Sequence, residues 1–184
     1  FDEKTKTLFI RGSGKMNNYE MNVGLIFNTI TTPWSSKRKQ IENVVISEGI
    51  TTSGKCLFHS SLSLETIEIP EDVETIETAI FQKCSLLSSL DIPGKSTTVK
   101  DNAFTDWIIT SLTLTGVGEM KIVPSVLSKA LENVVISDGI TTVADNAFYE
   151  CVSLKSVTIP DSVVQIGKNA FYDCSNLTSV AIPG

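Results

Sequence analysis

The chain has 184 residues, of which 41% are hydrophobic and 20% charged, the composition of a globular protein with one or two domains. Its formal net charge of −6 argues against a nucleic-acid-binding protein, because such proteins present a basic stripe to the phosphates. Its apolar runs are shorter than the roughly 20 residues of a membrane-spanning helix, so no direct membrane insertion is predicted. The chain starts at Phe1 without a signal-like segment, and we interpret both ends as cuts in a longer protein.

Residues 1–40 are predicted to form an N-terminal cap. They contain the segment Leu8-Phe-Ile-Arg-Gly-Ser-Gly-Lys-Met16 and then an apolar stretch that ends near Trp34. An array of stacked repeats follows, and such an array needs a terminal element that covers its first layer of core. Gly12 and Gly14 are expected in turns that need a positive φ angle. The motif lacks the third glycine and the following helix of a nucleotide-binding loop, so it does not predict phosphate binding.

From residue 41 to residue 184 one pattern returns every 22 or 23 residues. The repeats begin at residues 41, 64, 87, 109, 131, 154 and 177. Positions 4 and 6 of each repeat are aliphatic and alternate with polar residues, which is typical of a half-buried strand. A fixed period of this length predicts one continuous solenoid, in which the stacked strands form a parallel sheet.

The second half of the repeat carries an aliphatic residue and then, in its most regular copies, Asn-Ala-Phe. We interpret this segment as a single helical or 3₁₀ turn that places the phenylalanine in the core, where each ring stabilises the fold by about 1.5–3 kcal/mol. This Phe site holds Phe58, Phe81, Phe104, Phe148 and Phe171. The predicted fold class is α/β: a leucine-rich repeat solenoid with a curved parallel sheet on the concave side and short helical or 3₁₀ turns and loops on the convex side.

The repeat that begins at Ile109 departs from the pattern and reveals a duplication. Its segment Leu112-Thr-Leu-Thr-Gly-Val-Gly-Glu-Met120 matches Leu8–Met16, 104 residues earlier. Residues 132–142 likewise match residues 42–52, 90 residues earlier. A module was therefore duplicated, and its first copy carries 14 additional residues between Met16 and Ile41.

The full motif, L-x-x-V-x-I-P-x-x-V-x-x-I-G-x-x-A-F-x-x-C-x-x-L, resembles the BspA-like leucine-rich repeat family. It recurs most completely between Leu131 and Leu177, and the resemblance covers residues 41–184. Departures include Ile80 in place of Ala and Trp107 in place of Cys. The resemblance implies a microbial protein that is secreted or exposed on the cell surface. It also implies a part in adhesion to host proteins, to cells or to other microbes.

The outward side chains of the strands are the predicted binding surface, called the concave face below. Solenoid proteins bind partners on extended surfaces of this kind. These side chains are short and mostly polar, more acidic in the early repeats, and would offer hydrogen bonds at the strand spacing of about 4.8 Å. The candidate partner-binding residues occupy positions 3 and 5 of the repeats: Asn43, Thr66, Glu68, Ser89, Asp91, Ser111, Thr113, Asn133, Ser156 and Thr158.

No group of residues predicts catalysis, a cofactor or a metal site. His59 is the sole histidine, and without a nucleophile and an orienting acid we expect it on the solvated surface. The four cysteines lack C-x-x-C spacing. Cys84, Cys151 and Cys174 share one repeat position, so we expect small buried apolar residues, and a disulfide between Cys151 and Cys174 stays open as an alternative.

Three further features carry expectations. Tyr149 and Tyr172 lie one repeat apart and form either ordinary surface packing or an aromatic contact patch. Asn176-Leu177-Thr178 is a glycosylation sequon, of use only in a secreted eukaryotic protein. The last strand, Val180–Ile182, has no following neighbour in this chain, so we expect its edge to pair with a second copy.

The favoured function is a non-enzymatic recognition or adhesion module, on a cell surface or secreted. It would bind a protein or glycan on host or neighbouring cells through the concave face. The alternative is a structural spacer within a larger surface protein, and a hydrolase is the least favoured interpretation.

Overall fold

The repeats predicted from the sequence are coils of a solenoid of parallel strands. The computed structural model describes residues 1–18, 22–23, 28–29, 31–93, 98–100, 109–116, 118–122 and 130–180. The first residue of each repeat lies in the core: six of them are fully buried and the seventh, Leu177, packs against the core while half-buried. The six fully buried residues are Ile41, Leu64, Leu87, Ile109, Leu131 and Leu154.

Strands from the start of each repeat form the predicted parallel sheet, in two hydrogen-bonded parts. The strands of the first part are Thr7–Ile10 (β1), Asn43–Ile46 (β5) and Thr66–Glu68 (β7), in the order β1-β5-β7. Those of the second part are Ser89–Pro93 (β9), Ser111–Thr115 (β11), Asn133–Ile136 (β13), Ser156–Thr158 (β15) and Ser179–Val180 (β17), in the order β17-β15-β13-β11-β9. Alternate residues of these strands point into the core, which leaves the others for the concave face.

A second parallel sheet, which the sequence analysis did not predict, runs along the other side of the core. Among the described residues its strands are Gly14–Lys15 (β2), Ile50–Thr52 (β6), Thr75–Ile76 (β8), Thr98–Val99 (β10), Gly118–Ile122 (β12), Ile140–Val143 (β14) and Gln165–Ile166 (β16). They pair in the order β16-β14-β12-β10-β8-β6-β2. The aliphatic residue in the second half of the repeat belongs to this sheet: Ile76 lies in β8, Val99 in β10 and Val143 in β14, and all three are fully buried.

The segment that carries the Phe site is a run of turns. Tyr149 N–H donates to the Asn146 carbonyl and Cys151 N–H to the Phe148 carbonyl, which is the i to i−3 spacing of the expected 3₁₀ turn. Asn146 and Glu150, however, both have left-handed φ angles of 56°, so the turns do not join into a helix. Among the described residues the single helix is the 3₁₀ helix Ser35–Gln40, and little of the α component of the predicted class is present.

The Phe rings stack along the core, as the Phe site predicts. Phe58 and Phe81 have centroids 6.0 Å apart, and Phe148 and Phe171 have centroids 5.2 Å apart. Trp34 continues the first stack, with its centroid 6.0 Å from that of Phe58. Phe104 and its neighbour Ala103 lie outside the described residues, as does Trp107.

The two glycine motifs found in the sequence have the same local structure, which supports the duplication. Gly14 pairs with Ile50 but Lys15 pairs with Thr52, so a β-bulge follows Gly14. The identical shift occurs 104 residues later, where Gly118 pairs with Ile140 and Glu119 with Thr142. Gly12 and Gly14 have positive φ angles of 155° and 78°, as predicted.

The N-terminal segment supplies the first strand of each sheet. β1 pairs with β5, and β2 pairs with β6, both in parallel. The 14-residue insertion contains a short antiparallel pair, Asn22–Val23 (β3) and Asn28–Thr29 (β4). The domain boundary at residue 40 stays a prediction, and we keep residues 1–40 as a proposed cap.

Candidate functional site

The candidate residues form two rows across the concave face, one at position 3 and one at position 5 of the repeats. In the first row Asn43 pairs with Thr66, and Ser89, Ser111, Asn133 and Ser156 pair in sequence. In the second row Val45 pairs with Glu68, and Asp91, Thr113, Val135 and Thr158 pair in sequence. These side chains are exposed or half-exposed, while the alternate residues of the same strands are buried.

Hydrogen bonds along the first row hold some of these side chains in place. Thr66 Oγ1 donates to Asn43 Oδ1 at 2.6 Å, and Asn43 Nδ2 donates to the Thr5 carbonyl at 3.1 Å. One module later, Ser156 Oγ donates to Asn133 Oδ1 at 2.8 Å. Both asparagines therefore act as acceptors for the hydroxyl of the next strand, so the row presents ordered polar groups.

The rows are divided between β7 and β9, because these strands belong to different hydrogen-bonded sheets. The structure thus brings Asn43, Thr66 and Glu68 together on one part and the other seven candidates together on the second part. Glu68 ends the first part of the second row, and Asp91 begins the second part. Like charges on neighbouring strands are unfavourable, so these two exposed carboxylates do not strengthen strand pairing there.

One residue of the concave face was missed by the sequence analysis. Phe9 pairs with Val45 and extends the second row by one strand, with 44% of its surface exposed. The sequence carries a signal for it, because the matched glycine motifs align Phe9 with Thr113, a predicted member of the row. Phe9 lies outside the predicted rows because the sequence predicts a cap, and not a strand of the sheet, for residues 1–40.

The prediction that His59 lies on the solvated surface is wrong. Its side chain is only 7% exposed, and its Nδ1 lies 2.9 Å from Ser60 Oγ. A buried imidazole needs a polar partner, and the adjacent hydroxyl supplies one. Gln82, at the same position one repeat later, is half-exposed, so the repeat position alone does not determine burial.

The recurring cysteines are free thiols, and two of the three are buried as predicted. Cys84 and Cys151 are buried, Cys174 is half-buried, and none of these forms the disulfide considered above. Burial raises the pKa of the Cys84 thiol from 9.0 to about 12. Burial, with a smaller effect of Cys174, raises the pKa of the Cys151 thiol likewise to about 12. Thiols that stay protonated to such high pH are poor nucleophiles and metal ligands.

Tyr149 and Tyr172 form the expected aromatic strip, with ring centroids 5.0 Å apart and planes within 9° of parallel. Desolvation and the neighbouring Glu150 raise the pKa of Tyr149. Ordinary surface packing and a contact patch both stay predictions for this strip. Asn176 lies in an exposed turn, where its Nδ2 donates to the Val152 carbonyl at 2.8 Å.

In the part of the chain that the structure describes, no group of three or more His, Cys, Asp and Glu side chains could hold a metal ion. A helix long and apolar enough to cross a membrane is likewise not found among those residues.

Comparison with known proteins identifies the repeat. The family model for the BspA type leucine-rich repeat region matches residues 26–123 and 126–184, in six copies. A leucine-rich repeat protein of T. pallidum, TpLRR, is 20% identical with a TM-score of 0.49, over 75% of this chain and 65% of that one. One from Eubacterium ventriosum is 18% identical with a TM-score of 0.44, over 91% of this chain and 59% of that one.

A leucine-rich cell surface protein of Faecalibacterium prausnitzii is 21% identical with a TM-score of 0.34, over 94% of this chain and 49% of that one. The chain therefore spans between 49% and 65% of the length of these three solved proteins. No curated protein matches the sequence significantly.

Proposed function

Because the chain belongs to the BspA type leucine-rich repeat family, we propose that it is a non-enzymatic recognition module that binds through the concave face. Arrays of stacked repeats are scaffolds for interaction with other proteins. The partner is a protein or glycan on host or neighbouring cells, and the module acts at a cell surface or after secretion.

The observation that carries this proposal is the pair of rows at positions 3 and 5. Ten polar candidates occupy the solvent side of a sheet whose other side is core, and their strands are held in register by the repeat. The bonds from Thr66 to Asn43 and from Ser156 to Asn133 restrict these side chains before any partner arrives. Side chains ordered in advance lose less conformational entropy on binding.

The proposal is tested by capture with the immobilised 184-residue chain from surface proteins and surface glycans of host cells and neighbouring microbes. Replacing Ser89, Ser111 and Ser156 by Arg puts three bulky side chains across the first row. We expect the affinity for the captured partner to fall at least about tenfold, because the bulky side chains keep the partner away from the neighbouring contact residues. Surface plasmon resonance with the purified partner measures the change.

A matched triple variant places the same three arginines away from the concave face, at Thr141, Val164 and Gln165, which are also exposed. This control should bind like the original chain. If both triple variants bind as tightly as the original chain, the part of the concave face formed by β9 to β15 is not the binding surface. If the original chain captures nothing specific, the alternative of a structural spacer replaces the proposal.

Self-association through the edge of the last strand is a further part of the proposal. Of this strand, Ala181 and Ile182 lie outside the described residues, while Ser179 and Val180 pair with β15. Among the described residues β17 pairs with β15 alone, and a strand edge without a neighbour offers backbone hydrogen bonds to a second copy. Light scattering that finds only monomer at high protein concentration would remove this part.

A further inference from the structure

We propose that the N-terminal end of the concave face, around Phe9 and Arg11, is its main contact, and that it takes an acidic protein segment. The segment would present a carboxylate next to an apolar side chain. This inference rests on the proposed function and names the part of the face and the chemistry of the partner.

Phe9 is an unusual side chain for its position. It belongs to the second row, where the next two strands carry Val45 and Glu68, and it is the only aromatic residue among the described members of that row. Its neighbours in the strand, Leu8 and Ile10, pack in or against the core, so the 44% exposure of Phe9 follows from its outward direction. Exposed aromatic residues surrounded by smaller side chains are the usual anchors of protein interfaces.

Arg11 is held next to this ring. Its guanidinium carbon lies 5.6 Å from the centroid of Phe9, within the range of a cation–π contact. Together with Phe1 and Asp2 the two residues line an open depression. A guanidinium that is oriented by an aromatic face still has its planar donors available, and these match a carboxylate through two parallel hydrogen bonds.

The acid that lines the same depression, Asp2, keeps its negative charge but is hydrogen-bonded to the backbone of its own turn. Asp2 Oδ1 accepts hydrogen bonds from the backbone N–H groups of Lys4 at 2.8 Å and Thr5 at 3.3 Å. Lys37, another cation of residues 1–40, already has an acidic partner, because its Nζ lies 2.7 Å from Glu3 Oε1. Arg11 forms no ion pair with any acid in the described ranges, and an acidic partner would supply the missing charge.

The distribution of charge over the chain favours the same end. Residues 1–40 contain seven Lys or Arg and three Asp or Glu. Residues 41–184 contain eight Lys or Arg and eighteen Asp or Glu. An acidic segment is therefore attracted to the N-terminal end and repelled by Glu68 and Asp91 in the middle of the face. In the proposed protein segment, an apolar side chain next to the carboxylate would cover the exposed ring of Phe9.

The test uses fluorescein-labelled eight-residue peptides and fluorescence anisotropy. One peptide alternates Leu with Glu, a second alternates Leu with Lys, and a uronic acid oligosaccharide represents an anion without apolar side chains. We expect saturable binding of the Leu–Glu peptide only. Phe9→Ala or Arg11→Gln should weaken it by about tenfold or more, as for a contact at the centre of an interface.

Lys39→Gln is the matched control, because it removes an exposed positive charge from the same end of the molecule. It should change the affinity by less than about twofold, as expected for a charge outside the contact. The inference is overturned if the Leu–Glu peptide does not bind, if Lys39→Gln and Arg11→Gln weaken it equally, or if the oligosaccharide binds as tightly. Circular dichroism checks that these surface variants keep the fold.

The outcome is separable from that of the proposed function. Phe9→Ala and Arg11→Gln are also run in the capture experiment with surface extracts. If the arginine triple variant loses the captured partner but these two variants keep it, the concave face binds and the N-terminal end is not its main contact. If neither set of variants changes capture, the proposed function itself fails.

Discussion

Cysteine recurs at one position of the repeat because its thiol has a partner in the preceding coil. Cys84 Sγ donates to the Phe58 carbonyl at 3.1 Å, and Cys174 Sγ donates to the Phe148 carbonyl at 3.2 Å. In both cases the acceptor belongs to the Phe site of the coil before. The thiol therefore joins the two buried positions that most characterise the repeat, which a purely apolar residue of the same size would not do.

Gly167 is required for space. Its N–H donates to the Val143 carbonyl at 2.8 Å, and a Cβ atom there would lie 2.6 Å from the Ala144 carbonyl carbon and 2.6 Å from Asp145 Oδ1. We predict that Gly167→Ala lowers the free energy of unfolding by about 1–3 kcal/mol, because the backbone of the neighbouring coil must move. Urea unfolding followed by circular dichroism measures the loss.

Lys168→Ala is the matched control for this substitution. Lys168 is the next residue, is exposed, and uses its backbone N–H, not its side chain, to bond Asp145 Oδ1 at 2.6 Å. Its truncation should change stability by less than about 0.5 kcal/mol. Equal stability of the two variants would contradict the close approach at Gly167.

At the scale of the element, the turn segment shows what the sequence could not reveal. Left-handed residues lie four apart in four of the described coils, as at Cys56 and Ser60 or at Asn146 and Glu150, and only the asparagine among these four residues favours that conformation. The compensation comes from the next coil. The N–H groups of Asn146, Phe148 and Glu150 each donate to a carbonyl 22 residues later.

The two sheets differ in how far their strands could be predicted from the sequence. The first sheet follows from aliphatic residues that alternate with polar ones, a local pattern that is visible in Val134 and Ile136. The second sheet has strands such as β8 and β16 with two residues each, too short for any alternation, and they exist only because neighbouring coils pair. The places of the concave rows were predictable together with the first sheet, because the rows are the outward residues of its strands. The burial of His59 depends instead on packing that no local pattern encodes.

At the scale of the whole molecule, stability depends on contacts between successive coils. Successive coils bond through the second sheet, through the first sheet except between β7 and β9, and through the turn segments that the structure describes. In a solenoid of this kind each coil touches only its neighbours, so stability is spread along the array and not concentrated in one core.

The buried thiols make this stability dependent on pH. The pKa of Cys84 and that of Cys151 are each about 12 in the folded chain, against 9.0 for an ordinary thiol. The folded state thus keeps protons that the unfolded chain releases, and this contribution is fully present below pH 9 and lost as the pH rises toward 12. Urea unfolding at a series of pH values should show a free energy of unfolding that falls across this window.

Lysines and tyrosines also titrate at high pH, so the thiols need their own comparison. In the double variant Cys84→Ala and Cys151→Ala, the fall in the free energy of unfolding above pH 9 should be shallower than in the original chain. The same slope in both proteins would mean that these thiols do not carry the effect.

The hydrogen bonds between coils also determine how the molecule would respond to force. They run from coil to coil, so tension applied along the stack pulls on them directly and does not shear them. Hydrogen bonds that are loaded in this way break one after another, so the coils would detach one at a time from an end of the stack. Each detached coil of 22 or 23 residues would lengthen the chain by roughly 75 Å, at about 3.3–3.6 Å per extended residue. A tether of this kind would lengthen in steps under load while the remaining coils kept their shape.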